Sequence, residues 1–262
     1  MLRLKSPTDI EGIRRSGVLV AQTIRALRDR VVPGVSTREL DRFVQEFICS
    51  RGGRAAQLGY MGFPASLCAS VNNEVIHGIP GPRVLREGDI VDLDIVVELG
   101  GYYADACLTL PVGRISEARR RLLEVTRECL YLGVQEAVAG RRIRDIASAV
   151  YEHARRHGYD VVRQFCGHGV GFDLHEEPQV PNYPGRGSNP RLKPGMILAV
   201  EPMVNAGGWE VEVLEDGWTV VTADGADSAH FEHTVCVSEG PPEILTPWDD
   251  GWVRRTGSPG RA

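Results

Sequence analysis

The 262-residue chain has six cysteines, and no two of them form a Cys-x-x-Cys pair. Cys49, Cys68, Cys107, Cys129, Cys166 and Cys236 are scattered, so zinc-ribbon spacing is absent and nothing calls for a disulfide framework. Basic charge is also in short supply. Lys and Arg total 30 against 35 Asp and Glu, a net charge of -5, so no protein-wide positive field points to nucleic acid. No apolar run is long enough to span a bilayer. The N-terminal MLRLKSPTDIEG lacks the apolar core and cleavage site of a signal peptide, so the default location is cytoplasmic. There is no Gly-x-Ser-x-Gly elbow. Gly167-His-Gly-Val-Gly171 lacks the Lys-Ser/Thr of a phosphate loop and the spacing of a dinucleotide fingerprint, and His175-Glu176-Glu177 is not His-Glu-x-x-His. The remaining composition, 42% hydrophobic and 25% charged, is that of a globular protein long enough to bury a large core.

The stretch that stands out is Leu85 to Asp105. Its middle, IVDLDIVVEL over 90–99, mixes acids into a β-branched run and predicts a strand. Asp92 and Asp94 are two apart and share a face of it. Gly100-Gly101 signals a hairpin, and the returning segment carries Asp105. Carboxylates brought together on an apolar strand are costly to bury, so they call for a metal, an Arg or a shared proton.

Around this stretch the periodicity alternates between helices and irregular passages. Thr8-Asp-Ile-Glu11 has capping-box form, and apolar residues at Ile10, Ile13, Gly17, Val20, Ile24 and Leu27 predict a first helix ended by Pro33-Gly34. Ser36-Thr-Arg-Glu39 is a second capping box before the face Leu40, Phe43, Val44, Phe47, Ile48. Residues 54–84 read as loops and short strands that include His77. Helices are expected from Ser116-Glu117 to about Ala139 and from about Ile143 to His157. Strands are expected over Leu192–Val200, in a hairpin over Trp209–Val221, and in AHFEHTVCV (229–237).

The chain also repeats itself. At an offset of 106, Gly34 meets Gly140, Arg38 meets Arg144, Val44 meets Val150 and Gly52 meets Gly158. At an offset of 107, Gly88 meets Gly195, Asp94 meets Glu201, and Gly100-Gly101 meets Gly207-Gly208. Two halves, about 8–112 and 116–237, each helix–helix–strands, predict an α+β fold with pseudo-twofold symmetry. In it a curved antiparallel sheet is covered by helices on one face. Residues 1–240 are expected to form a single domain. In the tail, 241–262, the last dozen residues are rich in Gly, Arg, Ser and Pro and are expected to be loose. Each half delivers one acid, Asp94 or Glu201, so a site between the halves receives both; Asp92 meets Ala199 and is assigned a structural role.

Asp94, Asp105, His168, Glu201 and Glu232 lie in apolar or Gly-rich settings, with His77, His175 and His233 nearby. One imidazole with four carboxylates is oxygen-rich ligation suited to Mn²⁺, Fe²⁺, Co²⁺ or Zn²⁺. Four carboxylates neutralise two divalent ions, the arrangement of many hydrolytic centres.

At these residues the sequence resembles the type I methionine aminopeptidases, of short bacterial form, over about Ser6 to Glu239. The phrases are ASVNNEVIHGIP (69–80), DIVDLDIVVELGGYYADACLT (89–109), GHGVGFDLHEEPQV (167–180), LKPGMILAVEPMVNAG (192–207) and EDGWTVVTADGADSAHFEHTV (215–235). The resemblance implies the pita-bread fold and two metal ions held by Asp94, Asp105, His168, Glu201 and Glu232. Asp105 and Glu232 would bridge the ions, with Asp94 on one and His168 with Glu201 on the other. A hydroxide bridging the two ions would attack the scissile carbonyl. The resemblance also implies catalytic and substrate-contacting roles for His77 and His175, proton shuttling by Glu201, and a methionine pocket of Tyr60, Phe63, Cys68 and Trp218. Leu174 stands where many members carry Phe. The implied activity is removal of initiator methionine from nascent chains with a small second residue. The implied partners are the nascent N-terminus and, by proximity, the ribosome, and the implied state is a monomer. The alternatives are an Xaa-Pro aminopeptidase or prolidase-like hydrolase, and a non-catalytic pita-bread binding protein.

Overall fold

The computed structural model describes residues 2–248. The first half holds α1 (Pro7–Arg28), α2 (Thr37–Cys49), β1 (Arg54–Ala55), β2 (Cys68–Val71), β3 (Glu74–Ile76), β4 (Ile90–Leu99) and β5 (Tyr102–Pro111). The second half holds α3 (Glu117–Gln135), α4 (Ile143–Arg156), β6 (Asp160–Val161), β7 (Gly167–Gly169), β8 (Glu176–Val180) and β9 (Ile197–Val200). It continues with β10 (Met203–Asn205), β11 (Val211–Val213), β12 (Val220–Thr222), β13 (Ser228–His230), β14 (His233–Cys236) and β15 (Glu243–Ile244). No helix among the described residues is long and apolar enough to cross a membrane. The expected loose segment, 251–262, lies outside the described residues. Ahead of it, Leu245, Thr246 and Trp248 are buried.

Helix α1 starts earlier than the Thr8 capping box predicts. Ser6 is the N-cap, its hydroxyl accepting from the Asp9 amide while the Asp9 carboxylate accepts from the Ser6 amide. Pro7 takes the first helical position, where its missing N–H costs nothing. The box at Ser36 and Glu39 forms as read. Helix α1 ends at Arg28, short of Pro33-Gly34. Helix α3 ends at Gln135, because Ala139 turns away to donate to the Ser238 carbonyl at 3.1 Å.

The alternation along β4 decides which side of the protein is chemistry. Val91, Leu93, Ile95 and Val97 face the core shared with α1 and α2, each contributing roughly 1.5–3 kcal/mol by burial. Asp92, Asp94 and Val96 project to the other face. Strand β5 pairs with β4 throughout, with Asp94 opposite Cys107 and Val96 opposite Asp105, and β2 flanks the other edge with Cys68 opposite Asp94.

The repeat is visible in the backbone. Gly34 and Gly140 (φ 98° and 91°), Gly52 and Gly158 (76° and 84°), and Gly88 and Gly195 (96° and 83°) occupy matching left-handed positions that residues with a Cβ rarely adopt. The second half departs from the first at Glu201-Pro202. The strand expected over Leu192–Val200 begins only at Ile197, after a turn in which Met196 N–H donates to the Lys193 carbonyl at 3.1 Å, and a separate strand, β10, follows Pro202, because proline offers no amide to a ladder. The facing segment breaks too. Residues 229–237, expected as one strand, split into β13 and β14 around Phe231-Glu232. Among the described residues the strand ladders are all antiparallel, and they divide into four sheets of four, three, three and five strands. The halves join where β5 meets this break. Leu108 bridges Phe231, Glu232 N–H donates to the Cys107 carbonyl at 2.9 Å, and Thr234 Oγ1 both accepts from the Asp105 amide and donates to its carbonyl.

Candidate metal centre

Five side chains converge at that join. Asp94 comes from β4, Asp105 from β5, His168 from β7, Glu201 from the end of β9, and Glu232 from the break between β13 and β14. His168 Nε2 lies 3.4 Å from Glu201 Oε1 and 3.8 Å from Asp105 Oδ2. Ligating atoms of Asp105, His168 and Glu232 all fall within 4.8 Å of one another. The glycines around His168 are steric requirements. A Cβ on Gly167 would sit 2.3 Å from the Ala199 carbonyl oxygen, and one on Gly169 2.3 Å from that of Glu177.

The donor set fits divalent metal. Asp94 Oδ1, Asp105 Oδ1 and Glu232 Oε1 are buried without a hydrogen-bond partner among the described residues, an arrangement that costs free energy unless a cation meets them. His168 Nδ1 lies 2.9 Å from the Gly169 carbonyl, which can only accept. The proton therefore sits on Nδ1, and Nε2 presents its lone pair to the carboxylates. Burial pushes His168 down to about 3, so this imidazole is neutral and ready to ligate.

The carboxylates respond in the opposite direction. Burial, reinforced by mutual repulsion, raises Asp94 to about 6 and Glu201 to about 7, and lifts Asp105 and Glu232 well above their ordinary values. His230 stands among them. Burial opposes its charge, but Asp92 and Glu201 outweigh burial and push it up to about 9. These shifts set a stability profile for the metal-free protein. A carboxyl with a raised folded pKa holds a proton that the unfolded chain releases near pH 4, so its contribution falls as pH rises through the folded value. The His230 contribution is intact below about 6.5 and is lost as pH rises through about 9. The buried neutral histidines His77 (about 4) and His168 (about 3) act the other way, but only below about 6.5. All signs therefore agree above about pH 6.5. The melting temperature of chelator-treated protein is expected to fall between pH 6.5 and 9, and Mn²⁺ is expected to flatten the fall. A melting temperature that held or rose would contradict this electrostatic account.

Beside the carboxylates opens a cleft of about 200 Å³. Phe63, Cys68 and Trp218 form one wall, with Phe63 and Trp218 edge to face at 5.1 Å. Buried Leu174 packs with Ala56 and Val96 on another side, against Tyr60. His175 stands exposed at the mouth, its Nδ1 2.8 Å from the Tyr60 hydroxyl and its ring 4.2 Å from that of His168. His77 lies across the cleft at φ 58°, edge-on to Phe165 and Trp218. All ten of Tyr60, Phe63, Cys68, His77, Asp94, Asp105, His168, His175, Glu201 and Trp218 line the cleft, and Glu232 is buried beneath them. His233 is not brought in. It stacks on Trp248 at 4.6 Å and contacts Tyr131 and Thr246 inside the core.

The sequence reading overlooks His230, which lines the cleft and lies 3.8 Å from Glu201 Oε2. One signal was available: residues 230 and 232 are two apart in an extended segment, the spacing that placed Asp92 beside Asp94.

The model of metallopeptidase family M24 matches residues 11–239. The methionine aminopeptidase of Treponema pallidum is 50% identical over 98% of this chain and 100% of its own length, and methionine aminopeptidase 1 of Bacillus subtilis is 49% identical over 94% and 99%. The crystal structure of the Rickettsia prowazekii methionine aminopeptidase superposes with a TM-score of 0.92 at 39% identity, covering 94% of this chain and 100% of that one. The chain belongs to metallopeptidase family M24, and its near full-length relatives there are methionine aminopeptidases.

Proposed function

We propose that this protein is a metal-dependent aminopeptidase that removes the initiator methionine from nascent chains whose second residue is small. One observation carries the reading: three orphaned carboxylate oxygens and the bare Nε2 of His168 meet beside an apolar cleft closed by Phe63, Cys68 and Trp218. Asp94, Asp105, His168, Glu201 and Glu232 would hold two divalent ions, a donor set that suits Co²⁺, Mn²⁺, Fe²⁺ or Zn²⁺. When bound, the ions supply Lewis acidity and bring the pKa of water down to about 7.

The protein's own groups do the rest. The wall of Phe63, Cys68 and Trp218, with Tyr60, takes the methionine side chain, a polarisable thioether suited to aromatic contact. His175, oriented by Tyr60, donates to the oxygen that becomes negative at the scissile carbonyl. His77 reaches the peptide beyond the scissile bond. Glu201 takes the proton of the attacking water and passes it to the leaving amine. A narrow subsite beyond the bond sterically excludes a large second residue.

Residues 1–240 act as one catalytic domain in this reading. The chain works as a monomer in the cytoplasm, meeting nascent N-termini where they leave the ribosome. A comparison of substrates tests the assignment. Met-Ala-Ser is expected to be cleaved and an Ala-Pro peptide left intact, and preferential cleavage of Ala-Pro would point to an Xaa-Pro enzyme instead.

A further inference from the structure

We propose that His230 is a positioning residue for Glu201, held in place by Asp92; the inference rests on the metal-centre reading above. Glu201 turns one oxygen, Oε1, toward His168 at 3.4 Å and the other, Oε2, toward His230 Nε2 at 3.8 Å. The opposite ring nitrogen, Nδ1, lies 3.5 Å from Asp92 Oδ2. The imidazole thus lies between two carboxylates, one on each side.

The arrangement is built rather than incidental. His230 and Asp92 are each 2% exposed, and among the described residues neither ring nitrogen of His230 has a direct hydrogen bond, nor does Asp92 Oδ2. Polar atoms buried so completely are costly unless they serve each other across these short gaps. Asp92 is fixed on its far side by the Cys107 thiol, which donates to Oδ1. The His230 backbone is clamped by Thr109, whose hydroxyl accepts from the His230 amide and donates to its carbonyl, both at 2.9 Å. Asp92, Cys107 and Thr109 all belong to the β4–β5 hairpin, whereas His230 and Glu201 belong to the second half. The first half therefore holds the imidazole that sets a carboxylate of the second. A buried ion pair adds little to stability for its own sake. A ligating carboxylate, by contrast, depends on what holds its other oxygen, and loss of such an outer partner typically weakens metal binding about 10–100-fold.

Three full-length variants test this, with Co²⁺ affinity, the visible spectrum of the Co²⁺ protein, and kcat and KM on Met-Ala-Ser as readouts. His230→Ala is expected to weaken Co²⁺ binding about 10–100-fold, to alter the spectrum, and to lower kcat more than KM. His230→Gln, whose amide can still donate toward Glu201, is expected to recover most of the affinity. Asp92→Asn, nearly isosteric, is expected to shift both affinity and spectrum toward His230→Ala, and it carries the test if His230→Ala does not fold. Wild-type affinity and spectrum in Asp92→Asn and His230→Ala would overturn the proposal. So would a Gln variant no better than Ala, since that is what loss of packing alone produces. Wild-type protein that binds no divalent ion would overturn the metal-centre reading and this inference together, whereas wild-type binding matched by the variants overturns only the inference.

Discussion

Replacing Asp105 by Asn is expected to lower kcat/KM on Met-Ala-Ser by about 10³-fold, and to cut the metal bound per chain in the same protein. The size follows from the several kcal/mol a metal ion contributes at a hydrolytic transition state, at about 1.4 kcal/mol per factor of ten. Asp105 is the sharpest place to test this. Its carboxylate is buried beside Glu232 and faces His168, and its Oδ1 has no hydrogen-bond partner to lose. Asparagine keeps the volume, and the backbone exchange with Thr234 is untouched. Removing an acid whose ionisation the folded state opposes is also expected to raise the stability of the metal-free protein at pH 8. Lower activity with higher apo stability separates a ligand from a residue that only holds the fold. Near wild-type metal content and activity would remove Asp105 from the centre.

His175→Ala is expected to lower kcat by about 10²–10³-fold with little change in KM, the cost of losing one donor to a developing oxyanion. The ring is exposed at the cleft mouth and contacts Tyr60 and His168 rather than the hydrophobic core, so the melting temperature should barely move. Steady-state kinetics on Met-Ala-Ser decide it. A rise in KM at constant kcat would instead make His175 a group that binds ground state and transition state alike.

Much of this architecture is legible in the chain itself. The IVDLDIVVEL alternation puts Asp94 on one face and the core residues on the other, and the ladder with β5 keeps that division. The repeat pairs Asp94 with Glu201, and Gly34, Gly52 and Gly88 recur as Gly140, Gly158 and Gly195 with left-handed backbone, whereas Gly100-Gly101 is left-handed and its counterpart Gly207-Gly208 is not. What escapes the pattern is decided by contacts across the halves. Pro202 reads as one residue in an apolar run, yet it separates β9 from β10, a strand the sequence pattern does not mark, and leaves Glu201 at the break. Asp92 lacks an acidic repeat partner, so symmetry sets it aside. Its partner is His230, 138 positions away, and no periodicity connects them. The start of α1 is missed for a local reason, since Ser6 with Asp9 and Thr8 with Glu11 offer competing caps and Pro7 favours the earlier one.

We propose the join between the halves as a two-ion hydrolytic centre. The most direct measurement is anaerobic titration of metal-free protein with Mn²⁺, with bound metal and Met-Ala-Ser cleavage followed in the same samples. No cleavage is expected without metal, and activity is expected to rise with bound Mn²⁺ up to two ions per chain. Full cleavage by metal-free protein, or tight binding that brings no activity on this substrate, would contradict it.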